Sequence, residues 1–489
     1  MSDSRPAGHS PTNIKSIIIG LMLIILLGAL DQTIVAVALP QMASDLGNAS
    51  MLAWVVSGYL IAATVATPVY GKLGDLYGRR LLLTIAVLIF LIASIGCALA
   101  KSMPMLILGR ILQGIGGGGL ISTAQAIIGE VVPLRDRGRY QGYVSGMYAL
   151  ASVGGPVLGG YLTYLLSWHW IFWINLPLGL AALWIARRAL KDLPVPRVRK
   201  AIDYFGALLL TAGLSLLLIA FTRVGHGISV FAPDTLWLIG LACALLGVFT
   251  HHERRTAEPL ISPSIFRIRT VWICCAILFI SFFHVISLTA LIPFGMQILD
   301  GIGPDKAALQ LIAYSLAIPV GAVIGGRWMS HSGRYKPMQL IGTALLPVAM
   351  LLLAWFGPHV GFANSAILVL AGIATGMTLP TSLVAVQNAV PPGEIGVATA
   401  MTALFRSMGG AIGVALLSAI LFALMKMDGS AMDLETGIFS HAAADPENAE
   451  FAFRVTFLCG AAVALIAHLL AWALPEKSLR TSAPAKASG

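Results

Sequence analysis

Long hydrophobic runs recur along this chain from Ile17 to Leu474, with only short polar gaps between them. Each run has roughly the 20-residue length that an α-helix needs to cross the hydrocarbon core of a bilayer. Of the 489 residues, 58% are hydrophobic and 11% are charged, whereas an average soluble domain has about 25% charged residues. The pattern predicts an all-α integral membrane protein. It excludes an ordinary water-soluble enzyme, because no gap holds a soluble catalytic domain of about 100 residues.

The net charge of +10 does not indicate a nucleic-acid partner. The basic residues lie in the short gaps and form no single patch or tail, so membrane topology explains them better. The five cysteines all fall inside apolar runs, without metal-ligand spacing or a disulfide framework. We therefore expect no metal, no cofactor and no nucleic acid.

Fourteen membrane-spanning helices are predicted from the hydrophobic runs. Their ranges are 17–40, 52–70, 81–100, 104–127, 140–164, 169–187, 204–224, 235–252, 270–297, 307–328, 338–356, 363–386, 395–425 and 451–474. With the N-terminus in the cytoplasm, most of the 31 Lys and Arg residues lie in inside segments, as the positive-inside rule requires. We expect a multi-pass protein of the bacterial cytoplasmic (inner) membrane with both termini in the cytoplasm.

The chain also repeats itself weakly at a fixed offset. A Gly- and Arg-rich segment begins at Gly71, between spans two and three, and a similar segment begins 255 positions later at Gly326. The glycine pair that begins at Gly154 in span five is matched at Gly409 with the same offset. Two separated matches at one offset indicate a duplication of six spans.

The duplication predicts two six-helix bundles with two helices inserted between them. The segments are a cytoplasmic tail (1–16), an N-terminal bundle (17–188), a basic linker with the two inserted helices (189–268), a C-terminal bundle (269–475) and a second cytoplasmic tail (476–489). Two parallel halves with a binding site near the midplane are a transporter architecture, in which one half rocks against the other.

Asp31 is the one acidic residue that lies deep inside a predicted span. A carboxylate in hydrocarbon is costly unless it is paired, protonated or wetted by a cavity, so it is a functional candidate by default. At the helical rise, Asp31 lies ~13 Å below the outer end of its span and Arg110 lies ~9 Å below the same side. With Gln113 they form our candidate group for proton and substrate coupling. A fixed salt bridge between Asp31 and Arg110 is the alternative.

Other polar residues inside the spans are candidates for lining a cavity. Arg406 lies centrally in span thirteen, where it can bind an anion, pair with carbonyl groups or stabilise packing. The neutral candidates are Gln125, Asn175 and Gln297. Histidines in apolar runs are more often hydrogen-bonded core residues than proton relays.

Two glycine-rich segments predict a gate and a close helix contact. The first is a loop between spans two and three, in which an acidic residue can cap a helix or pair with a basic one. Its candidate gate residues are Gly71, Gly74, Asp75, Gly78, Arg79 and Arg80, joined by Glu130 and Arg139. The second segment lies in span five, where Pro and Gly mark a bend or a tight contact. Its residues are Gly155, Pro156, Gly159 and Gly160.

Five segments together resemble the motifs of one transporter family. They are Leu30–Pro40, Gly71–Arg80, Leu108–Gly114, Gly155–Gly160 and Trp168–Gly179. The chain resembles the major facilitator superfamily, and specifically its fourteen-helix drug:proton antiporter branch. Its one departure is a histidine within Trp168–Gly179, at position 169, where the branch usually has arginine.

The resemblance implies a role for each motif. The inner-loop motif around Asp75 would gate the cytoplasmic face, and the span-four Arg110 would take part in proton transfer. Asp31 would serve proton or cation coupling, and the Gly155–Gly160 motif implies antiport. The second copy of the inner-loop motif has Ser330 in place of the acidic residue, so we expect weaker gating through the second half.

The sequence thus predicts a proton-coupled secondary transporter that exports small amphipathic compounds. The expected partners are a small-molecule substrate, protons and the lipid bilayer, and a periplasmic adaptor protein stays open. An ATP-driven pump is not expected, because the Gly71-Lys72 pair is followed by Leu73 and fails the phosphate-loop pattern. A membrane enzyme is not expected either, because it would need clustered histidines or carboxylates at one depth, and Asp31 is the single buried acid. An uptake symporter of the same fold and a non-transporting receptor or scaffold are the alternatives. One buried acid suits lipophilic cations, while Arg110 and Arg406 leave neutral or anionic compounds open.

Overall fold

The chain folds into α-helices, and no strand occurs in the described part of it. The computed structural model describes residues 11–48, 51–191, 203–225, 228–256, 259–261, 263–425 and 446–479. The helices are α1 (Pro11–Leu46), α2 (Leu52–Tyr77), α3 (Arg79–Ala98), α4 (Met103–Val131), α5 (Leu134–Leu165), α6 (Trp170–Trp173), α7 (Asn175–Ala189), α8 (Tyr204–Gly225), α9 (Pro233–Glu253), α10 (Pro263–Arg267), α11 (Arg269–Leu299), α12 (Pro304–Ser332), α13 (Lys336–Phe356), α14 (Phe362–Ala389), α15 (Ile395–Leu424) and α16 (Pro446–Trp472).

All fourteen predicted spans fall on these helices. Among the described residues, thirteen segments are long and apolar enough to cross a membrane. The remaining predicted span is α5, a helix of 32 residues. Its first turns contain Arg135, Asp136, Arg137 and Arg139, which lower its mean hydropathy. The predicted sixth span is built from the short helix α6 followed by α7.

The prediction of a loop between spans two and three is wrong. Its residues are helical on both sides of a single break, because α2 continues to Tyr77 and α3 begins at Arg79. Gly78 makes this break with φ 91° and donates its N–H to the carbonyl of Gly74 at 3.1 Å. Glycine suits the position, because L side chains rarely adopt positive φ.

The internal repeat reappears in the backbone and in helix packing. Gly333, 255 positions after Gly78, ends α12 with φ 69°. A Cβ on Gly114 of α4 would meet the carbonyl oxygen of Tyr59 on α2, and a Cβ on Gly372 of α14 would meet that of Tyr314 on α12. Tyr59 and Tyr314 are again 255 positions apart. The same small-residue contact therefore joins α2 to α4 and α12 to α14.

Two compact units divide the chain, and the division passes through α5. One unit comprises residues 1–133 and 150–200, and the other comprises 134–149 and 201–489. The first half of α5 belongs to the second unit because it packs against α12, where Gly138 and Gly326 bring the two backbones together. The predicted bundle boundaries at 17–188 and 269–475 stay a prediction.

The inserted helices α8 and α9 pack against each other, and α8 also packs against α15 within the second unit. Residues 192–202 of the predicted basic linker lie outside the described residues, as do 1–10 and 480–489 of the predicted tails. The start of the second tail packs on the second unit. Leu479 is buried and donates its backbone N–H to Gly333 at 3.1 Å.

Candidate coupling and gating sites

Asp31 lies on α1 and is fully buried within the first unit. Its Oδ2 lies 2.6 Å from Nη1 of Arg110 on α4. Its Oδ1 accepts hydrogen bonds from Nε2 of Gln113 at 2.9 Å and from Nδ2 of Asn175 at 3.0 Å. Both carboxylate oxygens therefore have donors, and the charge is balanced by one guanidinium in a short, charge-assisted contact. The site joins α1 to α4 and α7.

Arg110 is held by three further groups of the first unit. Its Nη1 donates to Oε1 of Gln113 at 2.7 Å, and its Nε donates to the carbonyl of Val55 on α2 at 3.2 Å. Its Cζ lies 4.2 Å from the centroid of the Tyr59 ring, a cation–π distance. These contacts fix the orientation of the guanidinium, so the ion pair with Asp31 is a specific contact between α1 and α4.

Ser94 of α3 completes this network, although no pattern in the sequence indicates it. Its hydroxyl accepts from Asn175 at 2.9 Å and from Gln113 at 3.2 Å, and it donates to the carbonyl of Phe172 at 3.0 Å. A lone serine in an apolar helix gives little signal, because serine is tolerated in membrane helices for packing reasons as well. Asn175, predicted as a cavity residue, is buried in this network at the start of α7.

This geometry leaves both interpretations of Asp31 open. A fixed salt bridge is compatible with the dense hydrogen bonding. Proton coupling is compatible as well, because protonation of a paired carboxylate removes the charge that holds its partners. The Asp31 side chain is 0% exposed and that of Arg110 is 2% exposed. A proton or a substrate therefore reaches Asp31 only after the surrounding helices move.

The gate candidates form an ion-pair chain at the ends of α2, α3 and α4. Oδ1 of Asp75 lies 2.9 Å from Nη2 of Arg79, and Nε of Arg79 lies 3.0 Å from Oε2 of Glu130. Asp75 and Arg79 are nearly buried, whereas Glu130 is partly exposed. The pairing joins three helix ends of the first unit.

Among the described residues, the other gate candidates do not take part in the ion-pair chain of Asp75, Arg79 and Glu130. Arg80 donates to the carbonyl of Lys191 at 3.4 Å. Gly71 and Gly74 are buried in the last turns of α2. Arg139 belongs to the second unit and donates from Nε to the hydroxyl of Tyr143 at 3.0 Å. This hydrogen bond raises the pKa of the Arg139 guanidinium.

The span-five glycines bring α5 against α1 within the first unit. A Cβ on Gly155 would meet the side chain of Thr33, and one on Gly159 would lie 2.8 Å from the carbonyl oxygen of Ile34. The Thr33 hydroxyl donates across the contact to the carbonyl of Ala151 at 2.8 Å. Pro156 is exposed and α5 continues through it, and Gly160 makes only an ordinary contact with α1.

The remaining cavity candidates do not join the Asp31 network. Gln125 is buried on α4, and its Oε1 has no partner in the described part of the chain. Gln297 donates to the carbonyl of Pro293 one turn earlier on α11, at 3.1 Å. Arg406 lies on α15 of the second unit, with its Cζ 4.3 Å from the centroid of the Phe282 ring. Among the described residues, no group of His, Cys, Asp or Glu is arranged to hold a metal.

The described residues contain thirteen apolar spans, a repeated pair of small-residue helix contacts and a buried ion pair within two of the spans. These features define a multi-pass membrane protein built from duplicated halves. Residues 21–414 match the Major Facilitator Superfamily. The chain belongs to this family of membrane transporters.

The sequence is similar to several bacterial relatives. It is 34% identical over 418 residues to an uncharacterized MFS-type transporter of Mycobacterium tuberculosis, in an alignment that covers 84% of this chain and 60% of the relative. The chain thus spans about 60% of that relative's length. It is 32% identical over 409 residues to the multidrug transporter protein MdtP of Bacillus subtilis, covering 83% of this chain and 75% of the relative. It is 31% identical over 422 residues to multidrug resistance protein 3 of B. subtilis, covering 86% and 81%.

Solved structures share the fold at low sequence identity. The proton:xylose symporter XylE superposes with a TM-score of 0.65 and 17% identity, covering 96% of this chain and 98% of that chain. The human organic anion transporter MFSD10 gives 0.64 and 16%, covering 94% and 100%. These similarities show the fold alone.

Proposed function

We propose that this protein is a proton-coupled secondary transporter that exports small amphipathic compounds across the bacterial cytoplasmic membrane. The observation that supports this most directly is the buried ion pair between Asp31 and Arg110. An acidic residue within a membrane span is tolerated when it is paired, protonated or wetted by a cavity, and the enclosed Asp31 is paired. A carboxylate that alternates between the paired and the protonated condition is what proton coupling requires.

The hydrogen bonds around Asp31 suggest how protonation changes the protein. The ionised carboxylate accepts from Arg110, Gln113 and Asn175, so it holds α1 against α4 and α7. Protonation removes the charge and turns one acceptor oxygen into a donor, which weakens the contact with Arg110. In our proposal, the proton enters while the helices are apart and leaves when Arg110 closes on the carboxylate.

The ion-pair chain of Asp75, Arg79 and Glu130 is the proposed cytoplasmic gate. It ties the ends of α2, α3 and α4 in one state and releases them in the other. Because Asp75 and Arg79 are nearly buried, these contacts favour the closed state, and they release only when the helix ends separate and water hydrates the charges.

Export is proposed over uptake for two reasons. The Gly155–Gly160 segment resembles the antiporter motif, and two of the relatives described above are named for multidrug transport or resistance.

The proposed membrane orientation places both termini in the cytoplasm. A periplasmic adaptor protein would be a further partner, tested by comparing transport in cells with transport by the purified protein in liposomes.

The test uses everted membrane vesicles energised by respiration, with a pH-sensitive dye in the acidic lumen. Cationic, neutral and anionic amphipathic compounds are added in turn, and proton release from the lumen is measured. The wild type is compared with Asp31→Asn and with Asp234→Asn, which neutralises an exposed carboxylate at the start of α9. We expect compound-dependent proton release in the wild type and in Asp234→Asn, and its loss in Asp31→Asn.

Three outcomes would contradict the proposal. Compound-dependent acidification of the lumen would indicate uptake by symport. Full export by Asp31→Asn at normal abundance would remove Asp31 from coupling. No response of the wild type to any compound class would favour a receptor or scaffold.

A further inference from the structure

Within the described part of the second unit, one cation inside a span has no carboxylate partner. Arg406 lies in α15, ~16 Å along the helix from Ile395 at 1.5 Å per residue, and hence well inside the span. None of the ion pairs among the described residues includes it. Its Nε is buried and has no hydrogen-bond partner in the described part of the chain. Arg110, by contrast, is neutralised by Asp31 at 2.6 Å.

Two aromatic side chains of the same unit surround Arg406. The guanidinium stacks over the Phe282 ring of α11, with Cζ 4.3 Å from the centroid, and hydrogen bonds to the hydroxyl of Tyr148 on α5. Stacking uses the flat face of the guanidinium and leaves its N–H groups pointing outward along the edge. Among the described residues, Tyr148 is the titratable neighbour that interacts with this charge.

These three side chains are accessible in a way that the Asp31 network is not. Arg406, Tyr148 and Phe282 are each partly exposed, whereas Asp31 is fully buried. A guanidinium inside a span avoids hydrocarbon and faces a polar or water-filled space. Arg406 therefore keeps some exposed surface within the span, whereas the carboxylate of Asp31 has none.

The internal repeat gives no counterpart to either group. The position 255 residues before Arg406 is Ala151, and the position 255 residues after Asp31 is Ile286. The charge of Arg406 is thus specific to the second half, and the carboxylate site is specific to the first. Because neither charged group is repeated in the other half, the two sites can have different tasks.

From these observations we infer that Arg406, Tyr148 and Phe282 bind the acidic group of an amphipathic organic anion. The N–H edge of Arg406 would take a carboxylate or sulfonate as a bidentate partner, and the Tyr148 hydroxyl would add one hydrogen bond. The Phe282 ring would contact the apolar body next to the acidic group. This inference rests on the proposed transport function for its physiological meaning, and it names the substrate class: organic acids rather than lipophilic cations.

The test measures binding separately from transport. The purified protein in lipid nanodiscs is titrated into fluorescein, an aromatic anion, and into ethidium, an aromatic cation, with fluorescence polarisation as the readout. Arg406→Gln removes the charge, Arg406→Lys keeps it without the planar fork, and Arg454→Gln is a control at an exposed arginine on α16. Thermal unfolding shows whether each variant folds.

We expect Arg406→Gln to weaken fluorescein binding about tenfold and Arg406→Lys to weaken it by a smaller factor, with ethidium binding unchanged. Equal fluorescein affinity in wild type and in either folded Arg406 variant would overturn the inference, and so would a wild type that binds ethidium but not fluorescein. Proton release in vesicles is scored independently. If fluorescein binds through Arg406 and no compound releases protons, the transport proposal fails and the anion site stands.

Discussion

At the scale of single residues, the site is defined by how each buried charge is compensated. Asp31 has three side-chain donors, and its partner Arg110 has an amide, a carbonyl and an aromatic ring besides the carboxylate. Removing one member of a buried pair leaves the other charge without compensation, which costs more than the pair itself contributes. The two residues should therefore behave as one unit under mutation.

A double-mutant cycle tests this coupling. Arg110→Leu alone should destabilise the protein by about 3–5 kcal/mol, because it leaves Asp31 charged and buried. Adding Asp31→Asn to it should recover a large part of that loss. Thermal unfolding of the four proteins in detergent measures the effect. Losses that simply add, with no recovery in the double variant, would contradict a coupled pair.

The pair itself could be found from the sequence, whereas its surroundings could not. Hydropathy identifies a lone acid in a span, and helical rise gives its depth, so Asp31 and Arg110 were predictable as neighbours. Ser94 was not, because which side chains meet depends on the rotation of each helix about its axis. That rotation is set by packing between helices, which a single sequence does not report.

At the scale of helices, glycine decides where two of them come together. Gly155 and Gly159 place α5 directly against Thr33 and Ile34 of α1, while the adjacent Gly154 has no atom within 4 Å of where its Cβ would be. The sequence of this segment predicts a bend or a close contact without distinguishing between the two. Proline suggested the bend, but α5 continues through Pro156.

Adjacent glycines give a matched pair of variants. Gly155→Ala should destabilise the protein by about 1–3 kcal/mol and reduce transport, because the new methyl group overlaps with Thr33. Gly154→Ala should leave both nearly unchanged, since its methyl group enters open space. The measurements are thermal unfolding and initial export rate. Equal effects of the two variants would refute the close contact as the function of Gly155.

The inserted helix α8 offers a pH prediction. Asp203 precedes α8 and accepts from the Gly206 N–H at 2.8 Å and from Nε2 of His252 at 3.0 Å. Burial raises the pKa of this carboxyl, but the hydrogen bonds from Gly206 and His252 outweigh it, so the pKa lies below its ordinary 3.8. Because the pKa of Asp203 is lower in the folded protein than in the unfolded chain, the ionised carboxylate stabilises the fold above pH 3.8. This stability is lost as the pH falls from 3.8 toward the pKa of Asp203 in the folded protein.

Thermal unfolding across this pH range checks the prediction. The wild type should lose stability below pH 3.8, and Asp203→Asn should lack that part of the decline and be less stable at neutral pH. A wild type and variant with parallel pH profiles would show that Asp203 adds no pH-dependent stability.

At the scale of the whole molecule, duplication has preserved the backbone and changed the charges. Gly78 and Gly333 each end a helix with positive φ. The arginines that follow them differ: Arg79 is 7% exposed and pairs at 2.9 and 3.0 Å, whereas Arg334 is 66% exposed and lies 3.6 Å from Glu476. The sequence predicted weaker gating through the second copy from Ser330, and that expectation awaits a test.

Arg79 and Arg334 occupy equivalent positions in the repeat, so a variant at one serves as the control for the same variant at the other. Arg79→Gln should reduce export strongly and destabilise the first unit, because it removes the nearly buried guanidinium that pairs with both Asp75 and Glu130. Arg334→Gln should have a small effect, as an exposed pair contributes only about 0–1 kcal/mol. Export rate and thermal unfolding measure both. A larger effect at Arg334 would place the gate in the second half.

The complete enclosure of Asp31 also bears on how a cell conserves energy. A carboxylate on a continuous water path would let protons run down their gradient whenever the protein was idle. Here no solvent reaches the Asp31 side chain, and a guanidinium lies against it. Under the proposed function, a proton would cross only when the helices change conformation. A transporter without substrate would therefore leak few protons.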